Sequence, residues 1–569
     1  MIMRLMAVYN NWGHYDELGD RVRLTEGLVW EELAVIERWR REFGVSFDVF
    51  VIDCLWFEAE RGYKEFRRGD WPVGPGRVLE RIRELGMIPG LWFSVNGARL
   101  RVAEWEGSLC EDNWHYSLAD GPYAEALEEG MQHAAEAWGV RYFKLDFANL
   151  GLAARGVVRS EQETMRRSVG RLREILGRLR ERFEGVHVIT HCGFARRPPE
   201  RDSGGGEMIE VDPGWLDVVD GVFSGDPQCG DIPQSTLCRA IDVFQDRQVW
   251  KLNRSGFPLD RIEDHGVLIG RTNTAMYRGR QGFRRSYVGQ LARGGRRDMV
   301  YGDVTLLCDE DVRMMRAARG LFFDAYRRGL CTRYVGDGKP GEHGWYGYMT
   351  GGGSSGLLYL VNATFERRCV ELPVLDMHAA RVLFYDGRKP ELEVQAEHLA
   401  IEVGPEQAVV IGMGRYADGR WEVPPEEDTP PPVATRLVPV RWGAVDGGVE
   451  GEVGEGALAE GERLLVVAQV FDAEPAGAIE AAPYRFGRQE TPTSEDRRPR
   501  AHDLVRIRCE VGGREVMAEA QVPDVPVWSG TSWVARRYAV KGGCRVRVEQ
   551  RIDPKRRLRV SARAVRYAR

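Results

Sequence analysis

Eight short apolar runs alternate with longer amphipathic stretches over the first 330 residues, and this alternation constrains the fold more than any other feature. The amphipathic stretches, such as those at 29–44 and 161–183, have the period of helices. The apolar runs are RLMAVYN (4–10), VFVIDCLWF (49–57), IPGLWFSV (88–95), RYFKLDFA (141–148), VHVITHCG (186–193), VVDGVFSGD (218–226), QVWKLNR (248–254) and MVYGDVTLL (299–307). Eight strands that alternate with helices predict an α/β fold, the (β/α)8 TIM barrel. An open doubly wound sheet is the alternative, but no GxGxxG follows the first run.

The helical pattern stops near residue 330, and the rest of the chain has the pattern of strands and turns. The segment 309–330 predicts the last barrel helix, and the runs after it predict a C-terminal antiparallel β-sandwich. The stretch EVPPEEDTPPPVAT is rich in proline and acidic residues, which is typical of a linker. The predicted domains are the barrel (1–335), the sandwich (336–415), the linker (416–435) and a second all-β module without an assigned role (436–569).

Charge and cysteine content argue against several classes of protein. Lys and Arg number 80 and Asp and Glu number 86, so a net charge of −6 disfavours a nucleic-acid-binding protein. No apolar stretch approaches the length of a membrane span, and the amino-terminal segment lacks the apolar core of a signal peptide. The ten cysteines have neither CxxC nor zinc-site spacing. These features predict a reduced, cytoplasmic protein without a metal or other cofactor.

Polar and aromatic residues occupy the carboxyl ends of the predicted strands, where working residues of this fold lie. They include Asp53, Trp56, Trp92, Lys144, Asp146, Cys192 and Asp226. Indole faces stack on the apolar face of a pyranose, and carboxylates accept hydrogen bonds from its hydroxyl groups. Cleavage of a glycosidic bond needs two carboxyl groups, one of them to protonate the leaving oxygen. The pattern therefore favours a sugar site, although packing in the core is the alternative for Trp56 and Trp92.

The acid at the end of the fourth run lies between two apolar residues, in RYFKLDFANL (141–150). A buried carboxylate is costly unless it is paired or used. Lys144 lies two residues before Asp146 and therefore on the same face of the strand. Two interpretations follow from the residues alone: a structural salt bridge between Lys144 and Asp146, or a functional acid at the barrel mouth.

Several segments, in order and on the predicted strands, resemble the α-galactosidase (melibiase) clan, glycoside hydrolase families 27 and 36. DCLWF resembles the clan's strand-2 DDGW motif, YFKLDFA its nucleophile strand and FSGD its acid/base segment. Further similar segments are GDW (69–71), GMIPGLWF (86–93), HCG (191–193) and GGRRDMVYGDVTLL (294–307). The resemblance covers roughly residues 45–330. Cys54 stands where the clan has a second aspartate that binds galactose, so the resemblance does not name the sugar.

The resemblance implies a retaining α-glycosidase that hydrolyses a terminal α-linked sugar through a covalent glycosyl-enzyme. Asp146 would be the nucleophile and Asp226 the acid/base. The implied substrate-binding residues are Asp53, Trp56, Asp70, Trp71, Trp92, Lys144 and Cys192. Arg239 is a further substrate-binding candidate, with an ion pair to a barrel acid as its alternative.

Two other functions fit the same residues. The first is a transglycosylase of the clan, raffinose-synthase-like, in which a sugar hydroxyl replaces water. The second is a non-catalytic carbohydrate-binding protein whose β modules bind the sugar. In each case the partner is an oligosaccharide or α-glycoside, and no nucleic acid or membrane is expected. Clan relatives often assemble, so the resemblance also suggests a homo-oligomer.

Overall fold

A sheet of parallel strands that closes into a barrel occupies the first part of the chain in the computed structural model. The structure describes residues 5–15, 22–190, 200–201, 207–208, 212–224, 233–264, 266–270, 280–336, 338–341, 344–395, 398–472, 505–519, 533–550 and 556–567. The barrel strands are Met6–Asn10, Val49–Ile52, Ile88–Ser94, Tyr142–Asp146, His187–Thr190, Gly221–Phe223, Ile262–Glu263, Val267–Ile269 and Arg297–Gly302.

The seventh position of the barrel is shared by two short strands. Ile262–Glu263 pairs with the sixth strand, and Val267–Ile269 pairs with Arg297–Gly302, which is the eighth. The eighth strand in turn pairs with Met6–Asn10, the first. These two short strands are the edges of the nine-stranded sheet, and only residues 264–266 separate them along the chain, so the two edges lie next to each other in sequence at the seventh position. The predicted (β/α)8 class is confirmed by this topology.

Seven α-helices are described, and they follow most of the barrel strands. They are α1 (Glu26–Phe43), α2 (Gly76–Glu84), α3 (Tyr123–Ala137), α4 (Glu161–Arg182), α5 (Leu237–Arg254), α6 (Phe283–Ala292) and α7 (Asp309–Arg327). Short 3-10 helices span Ala103–Ser108, Pro213–Asp217, Leu259–Arg261, Val304–Leu306, Arg415–Ala417 and Gly419–Trp421. Two hairpins join Phe57–Glu58 to Gly62–Phe66 and Glu200–Arg201 to Glu207–Met208. Among the described residues, no helix is long and apolar enough to cross a membrane.

The strand predicted at 248–254 is wrong, because these residues form the last turns of α5. The buried apolar residues of this helix recur at helical spacing, and they include Ile241, Phe244, Val249 and Leu252. The true seventh position carries strands of two and three residues, interrupted around Gly266. Strands of two and three residues are too short to show a period of two in the sequence. The longer apolar run in α5 therefore gave the stronger strand pattern.

Side chains inside the barrel form an apolar layer with a polar layer above it. The apolar cluster contains Met6, Val8, Val49, Val51, Tyr142, Ile189, Leu268, Met299 and Tyr301. Two positions further along four of these strands, toward the carboxyl end, lie Asn10, Asp53, Lys144 and Asp303. Residues two apart share one face of a strand, so these four belong to the same inner surface. All four are buried, and the barrel is therefore filled below and polar at its mouth.

Two antiparallel sheets form the predicted sandwich. The first has the order Thr332–Gly336, Trp345–Gly352, Ser355–Asn362, Ala408–Gly414 and Ala380–Tyr385, and the second Arg368–Pro373, His398–Val403 and Leu392–Gln395. They enclose a core that includes Leu358, Leu360, Ile401 and Ile411. Thr332–Gly336, which the prediction placed in the barrel domain, is the edge strand of the first sheet.

A second pair of sheets follows in the carboxyl-terminal module. The four-stranded sheet has the order Ala434–Leu437, Arg556–Arg566, Glu462–Asp472 and Trp533–Tyr538. The five-stranded sheet has the order Trp442–Val445, Gly448–Glu455, Gly542–Gln550, Val505–Val511 and Arg514–Val516. Its separate core includes Leu464, Val466, Cys509 and Val546.

The segment predicted as a linker packs against the barrel. Tyr416 and Glu426 are buried, and Glu426 Oε2 accepts a hydrogen bond from the backbone N–H of Arg284 at the start of α6, at 3.0 Å. Tyr416 donates its hydroxyl hydrogen bond to Asp324 of α7 at 2.8 Å. Most of this segment has no regular strand, and its side chains are anchored on the last two barrel helices, α6 and α7.

We predict that His187 makes the protein less stable in acid. Burial lowers the pKa of His187 to about 3, and its ring stacks on Tyr142 with centroids 5.1 Å apart. The unfolded chain has the ordinary histidine pKa of 6.5, so unfolding takes up a proton between these pH values. Stability should therefore fall as the pH decreases, by about 2 kcal/mol for this residue at about pH 5.

The measurement is urea unfolding of the wild type, His187→Phe and a control, His115→Phe, at about pH 7 and pH 5. His187→Phe keeps a ring for Tyr142 and cannot take up the proton, so it should lose less stability on acidification. The control lies on a surface loop and should follow the wild type. Equal acid sensitivity of all three proteins would contradict the prediction.

Candidate active site

Asp146 ends the fourth barrel strand with both carboxylate oxygens held by donors. Trp92 Nε1 donates to Oδ2 at 2.9 Å, and the backbone N–H of Phe147 donates to Oδ1 at 2.6 Å. Phe147 has a φ of 49°, so the chain turns away directly after the acid. The carboxylate is 8% exposed. A buried but accessible carboxylate in a fixed orientation is the geometry that a nucleophile requires.

Lys144 lies beside Asp146 and pairs with Asp53 from the second strand. Its Nζ donates to Asp53 Oδ2 at 2.9 Å, and Asn10 Nδ2 donates to the same oxygen at 2.6 Å. Burial alone would lower the pKa of Lys144, but the attraction of Asp53 and Asp146 outweighs it and the pKa is raised. Lys144 is therefore a fixed positive charge between Asp53 and Asp146. Its hydrogen bond is to Asp53, whereas its interaction with Asp146 is through space.

Two aromatic rings complete this group, and sequence reasoning missed both. Lys144 Nζ lies 5.5 Å from the ring centroid of Trp12 and 5.1 Å from that of Tyr301. The two rings meet edge to face, with centroids 6.4 Å apart. Trp12 follows the first strand and is half-buried, which leaves part of its surface at the barrel mouth. The available signal was a tryptophan directly after the first strand, in YNNW (9–12).

Trp56 and Trp71 require a correction, because both lie in the core. Trp56 Nε1 donates to the backbone oxygen of Trp92 at 2.7 Å, and its ring contacts Phe66 and Trp138. Trp71 packs edge to face on Phe66. Neither ring is more than 1% exposed, so neither offers a face to a sugar. Trp92 is buried as well, and what it contacts is the carboxylate of Asp146.

Asp70 and Arg239 also lie elsewhere than predicted. Asp70 is buried and accepts a hydrogen bond from Arg23 at 2.9 Å, which anchors the segment before α1. Its Oδ2 also forms an ion pair with Arg67, at 3.1 Å from Nε. Arg239 Nη1 donates to Asp386 Oδ2 at 2.6 Å and to the backbone oxygen of Glu406 at 2.8 Å. These two acceptors belong to the sandwich, and Arg239 Nη2 donates to the backbone oxygen of Thr429 in the segment that follows it. This arginine therefore joins the barrel to the sandwich and to that segment.

Of the remaining predicted residues, Asp53 and Lys144 lie in the group around Asp146, and Cys192 and Asp226 lie outside the described residues. Cys54 is buried beside Asp53, and the hydroxyl of Tyr15 contacts its Sγ at 3.4 Å. The described part of the chain contains no group of three or more His, Cys, Asp and Glu side chains placed to hold a metal ion.

A buried acid beneath the mouth was not predicted. Glu263, in the seventh position of the barrel, accepts hydrogen bonds from Tyr301 at 3.0 Å and from Tyr142 at 3.2 Å. Burial raises its pKa, and the charges of Arg297 and Lys144 oppose that rise. The acid supports Tyr301 from below. The misplaced seventh strand explains why sequence reasoning did not find it.

Solved α-galactosidases are similar to this chain in fold. A family 36 α-galactosidase of Geobacillus stearothermophilus, crystallised with raffinose, matches 72% of this chain at 14% identity with a TM-score of 0.49. The α-galactosidase of Lactobacillus brevis matches the same share at 13% identity and 0.47. For α-galactosidase I of Mortierella vinacea the identity is 12% and the TM-score 0.45.

The matched region is 55% of the Geobacillus and Lactobacillus chains and 96% of the Mortierella chain, so this chain spans about half the length of the first two. No protein-family model matches the sequence, and no curated protein does. At these identities and scores, the likeness by itself assigns no activity.

We predict that removal of the Lys144 charge strongly destabilises the protein. Lys144→Met leaves Asp53 and Asp146 buried without their cation, which should cost about 3 kcal/mol or more of the free energy of unfolding. Lys64→Met is the matched control, because it removes an exposed ion pair with Glu129 that has an N–O distance of 2.7 Å. The control should cost no more than about 1 kcal/mol.

Urea unfolding of both variants measures these costs. Equal losses in the two variants would contradict a special role for the buried pair.

Proposed function

We propose that this protein is a retaining α-glycosidase of α-galactosidase type, with Asp146 as its nucleophile. The observation that carries the proposal is the fixed carboxylate of Asp146 at the barrel mouth, between two donors and beside a buried cation. The sequence resemblance assigns the same residue to the same role.

In the proposed mechanism, Asp146 attacks the anomeric carbon of a terminal α-linked sugar and forms a β-linked glycosyl-enzyme. The donors from Trp92 and Phe147 hold the carboxylate in line, and Lys144 keeps it ionised. The half-buried ring of Trp12 is the aromatic surface on which the sugar stacks. Asp53 keeps Lys144 in place and, with Asn10, sets the depth of the pocket.

The acid/base of the proposed mechanism is Asp226. It protonates the leaving oxygen, and then takes a proton from the water that hydrolyses the intermediate. Support for this assignment comes from the FSGD segment and its resemblance to the clan. Retention would require its carboxyl group and that of Asp146 to lie about 5–5.5 Å apart.

Cys54 provides a thiol where a second carboxylate would bind galactose in the clan, and this thiol is buried against Tyr15. We therefore expect activity on an α-glycoside whose recognition does not depend on that second carboxylate. A panel of 4-nitrophenyl α-glycosides (galactoside, glucoside, N-acetylgalactosaminide, arabinopyranoside) identifies the substrate.

We predict that Asp146→Ala loses turnover of the preferred glycoside on the order of 10⁴-fold, because the variant cannot form the covalent intermediate. Azide should restore part of the rate and yield the β-glycosyl azide, since it attacks from the face that Asp146 occupied. Product analysis by NMR measures the anomeric configuration.

Asp48→Ala serves as the control, since Asp48 accepts from the backbone N–H of Ala7 at the opposite end of the barrel. It should keep turnover within a few fold of the wild type and show no azide effect. Turnover that is unchanged in Asp146→Ala would refute the nucleophile assignment. Transfer of the sugar to an added acceptor in preference to water would identify a transglycosylase.

A further inference from the structure

A histidine lies between two carboxylates at the same end of the barrel as Asp146. His14 Nδ1 is 2.7 Å from Glu32 Oε1 of α1, and His14 Nε2 is 3.5 Å from Asp303 Oδ1. His14 follows the first strand and Asp303 follows the eighth, so both belong to the carboxyl end of the barrel. Neither the sugar chemistry nor the fold described above uses this group.

Glu32 fixes the histidine ring. Its side chain is fully buried, and its second oxygen accepts from Asn11 Nδ2 at 3.3 Å. Because α1 holds Glu32 rigidly, the Nδ1–H of His14 has a fixed acceptor, and the opposite ring nitrogen points toward Asp303. The arrangement is that of a carboxylate that orients a histidine toward its target.

The two carboxylate oxygens of Asp303 differ in their hydrogen bonds. Its Oδ1 accepts from the backbone N–H of Thr305 at 3.0 Å and faces His14. Among the described residues, no hydrogen bond to Oδ2 is found, and the residue is 7% exposed. Asp303 lies two residues beyond Tyr301, whose ring contacts Trp12 and Lys144. Asp303 therefore continues the polar inner layer of the barrel beyond Tyr301, at the same end of the barrel as Asp146.

The charges around His14 favour its protonated form. The groups that face it from the described elements are Glu31 and Glu32 of α1 and Asp303, while Tyr9 of the first strand interacts with Glu32 and Asp303. Burial alone would lower the pKa of His14, but the carboxylates outweigh it and the pKa is raised above 6.5. A protonated ring donates to Glu32 through Nδ1 and attracts Asp303 by its charge, whereas a neutral ring with its proton on Nδ1 would turn the lone pair of Nε2 toward Asp303.

We propose that Asp303 and His14 form a hydroxyl-binding subsite of the sugar pocket, in which Asp303 Oδ2 accepts a hydrogen bond from a sugar hydroxyl and His14 positions that carboxylate. The inference rests on the proposed function and adds a specificity element from the first and eighth strands. Asp303 contacts the substrate, and His14 and Glu32 act through it. A sugar without that hydroxyl would leave Asp303 buried and unpaired, which is how such a site rejects the wrong sugar.

Steady-state kinetics on the best aryl glycoside of the panel, between pH 5 and 8, provides the first test. Asp303→Asn keeps an acceptor for Thr305 and should raise KM about tenfold while kcat changes much less. His14→Gln should raise KM to a similar extent below the pKa of His14. The KM of the wild type should increase as the pH rises through that pKa, and the KM of His14→Gln should not.

His133→Gln is the matched control, since His133 lies on α3 and packs against Trp138. Its KM should follow the wild type at every pH. The double variant of His14 and Asp303 should be little worse than Asp303→Asn alone, because the two residues act as one unit. Thermal unfolding verifies that each variant is folded before its kinetics are compared.

Calorimetric titration of the free sugars into the same proteins separates failure of this inference from failure of the proposed function. Wild-type hydrolysis with an unchanged KM in both variants overturns the subsite and leaves Asp146 in its role. Sugar binding without any hydrolysis, weakened about tenfold by Asp303→Asn, supports the subsite and removes the proposed catalysis. Absence of both hydrolysis and saturable binding by the wild type overturns both.

Discussion

The buried ion pair between Lys144 and Asp53 is the interaction on which the barrel mouth depends. It joins the second and fourth strands across the inside of the barrel, and the same lysine attracts Asp146. Removing two charges from water is expensive, and apolar side chains of similar size are often at least as stable in such a place. A pair of this kind is therefore weak evidence for stability. Its chemical consequence is a permanent positive charge next to the carboxylate of Asp146.

The layers of the barrel explain why this pair can exist. Below it lies the apolar cluster, and above it lies the half-buried ring of Trp12. The interrupted seventh strand is held from outside by Arg293, which donates to Asp264 at 2.5 Å and to Asp246 at 2.7 Å. Asp246 in turn accepts from Tyr346 of the sandwich at 2.6 Å. The sandwich thus helps to hold the seventh position of the barrel, where Glu263 accepts a hydrogen bond from Tyr301.

The sequence predicted the fold class and most of the barrel strands, because eight apolar runs of sufficient length alternate with amphipathic helices. It also placed Asp146, Lys144 and Asp53 together, since the carboxyl ends of parallel strands meet at one edge. The prediction that Trp56 and Trp71 face a sugar is wrong, because both rings are buried in the core. An indole near a strand end can lie either inside the barrel or in the layer between strands and helices, and its position in the sequence does not distinguish the two. Trp92 lies within its strand, next to Lys144 of the neighbouring strand. Trp56 lies beyond the end of the second strand, after a turn in which Leu55 has a φ of 67°, and its ring packs on Phe66 and Trp138.

By itself, the sequence determined the strand and helix pattern, the polar residues at the strand ends and the nature of the chemistry that they favour. These are local properties, carried by periodicity and by residue type. Only the tertiary structure decided which charges are partners, because Arg239 pairs with an acid 147 residues away and His14 lies between acids from a helix and from the last strand. Such pairings depend on how the barrel closes and where the sandwich docks, and no spacing along the chain encodes them.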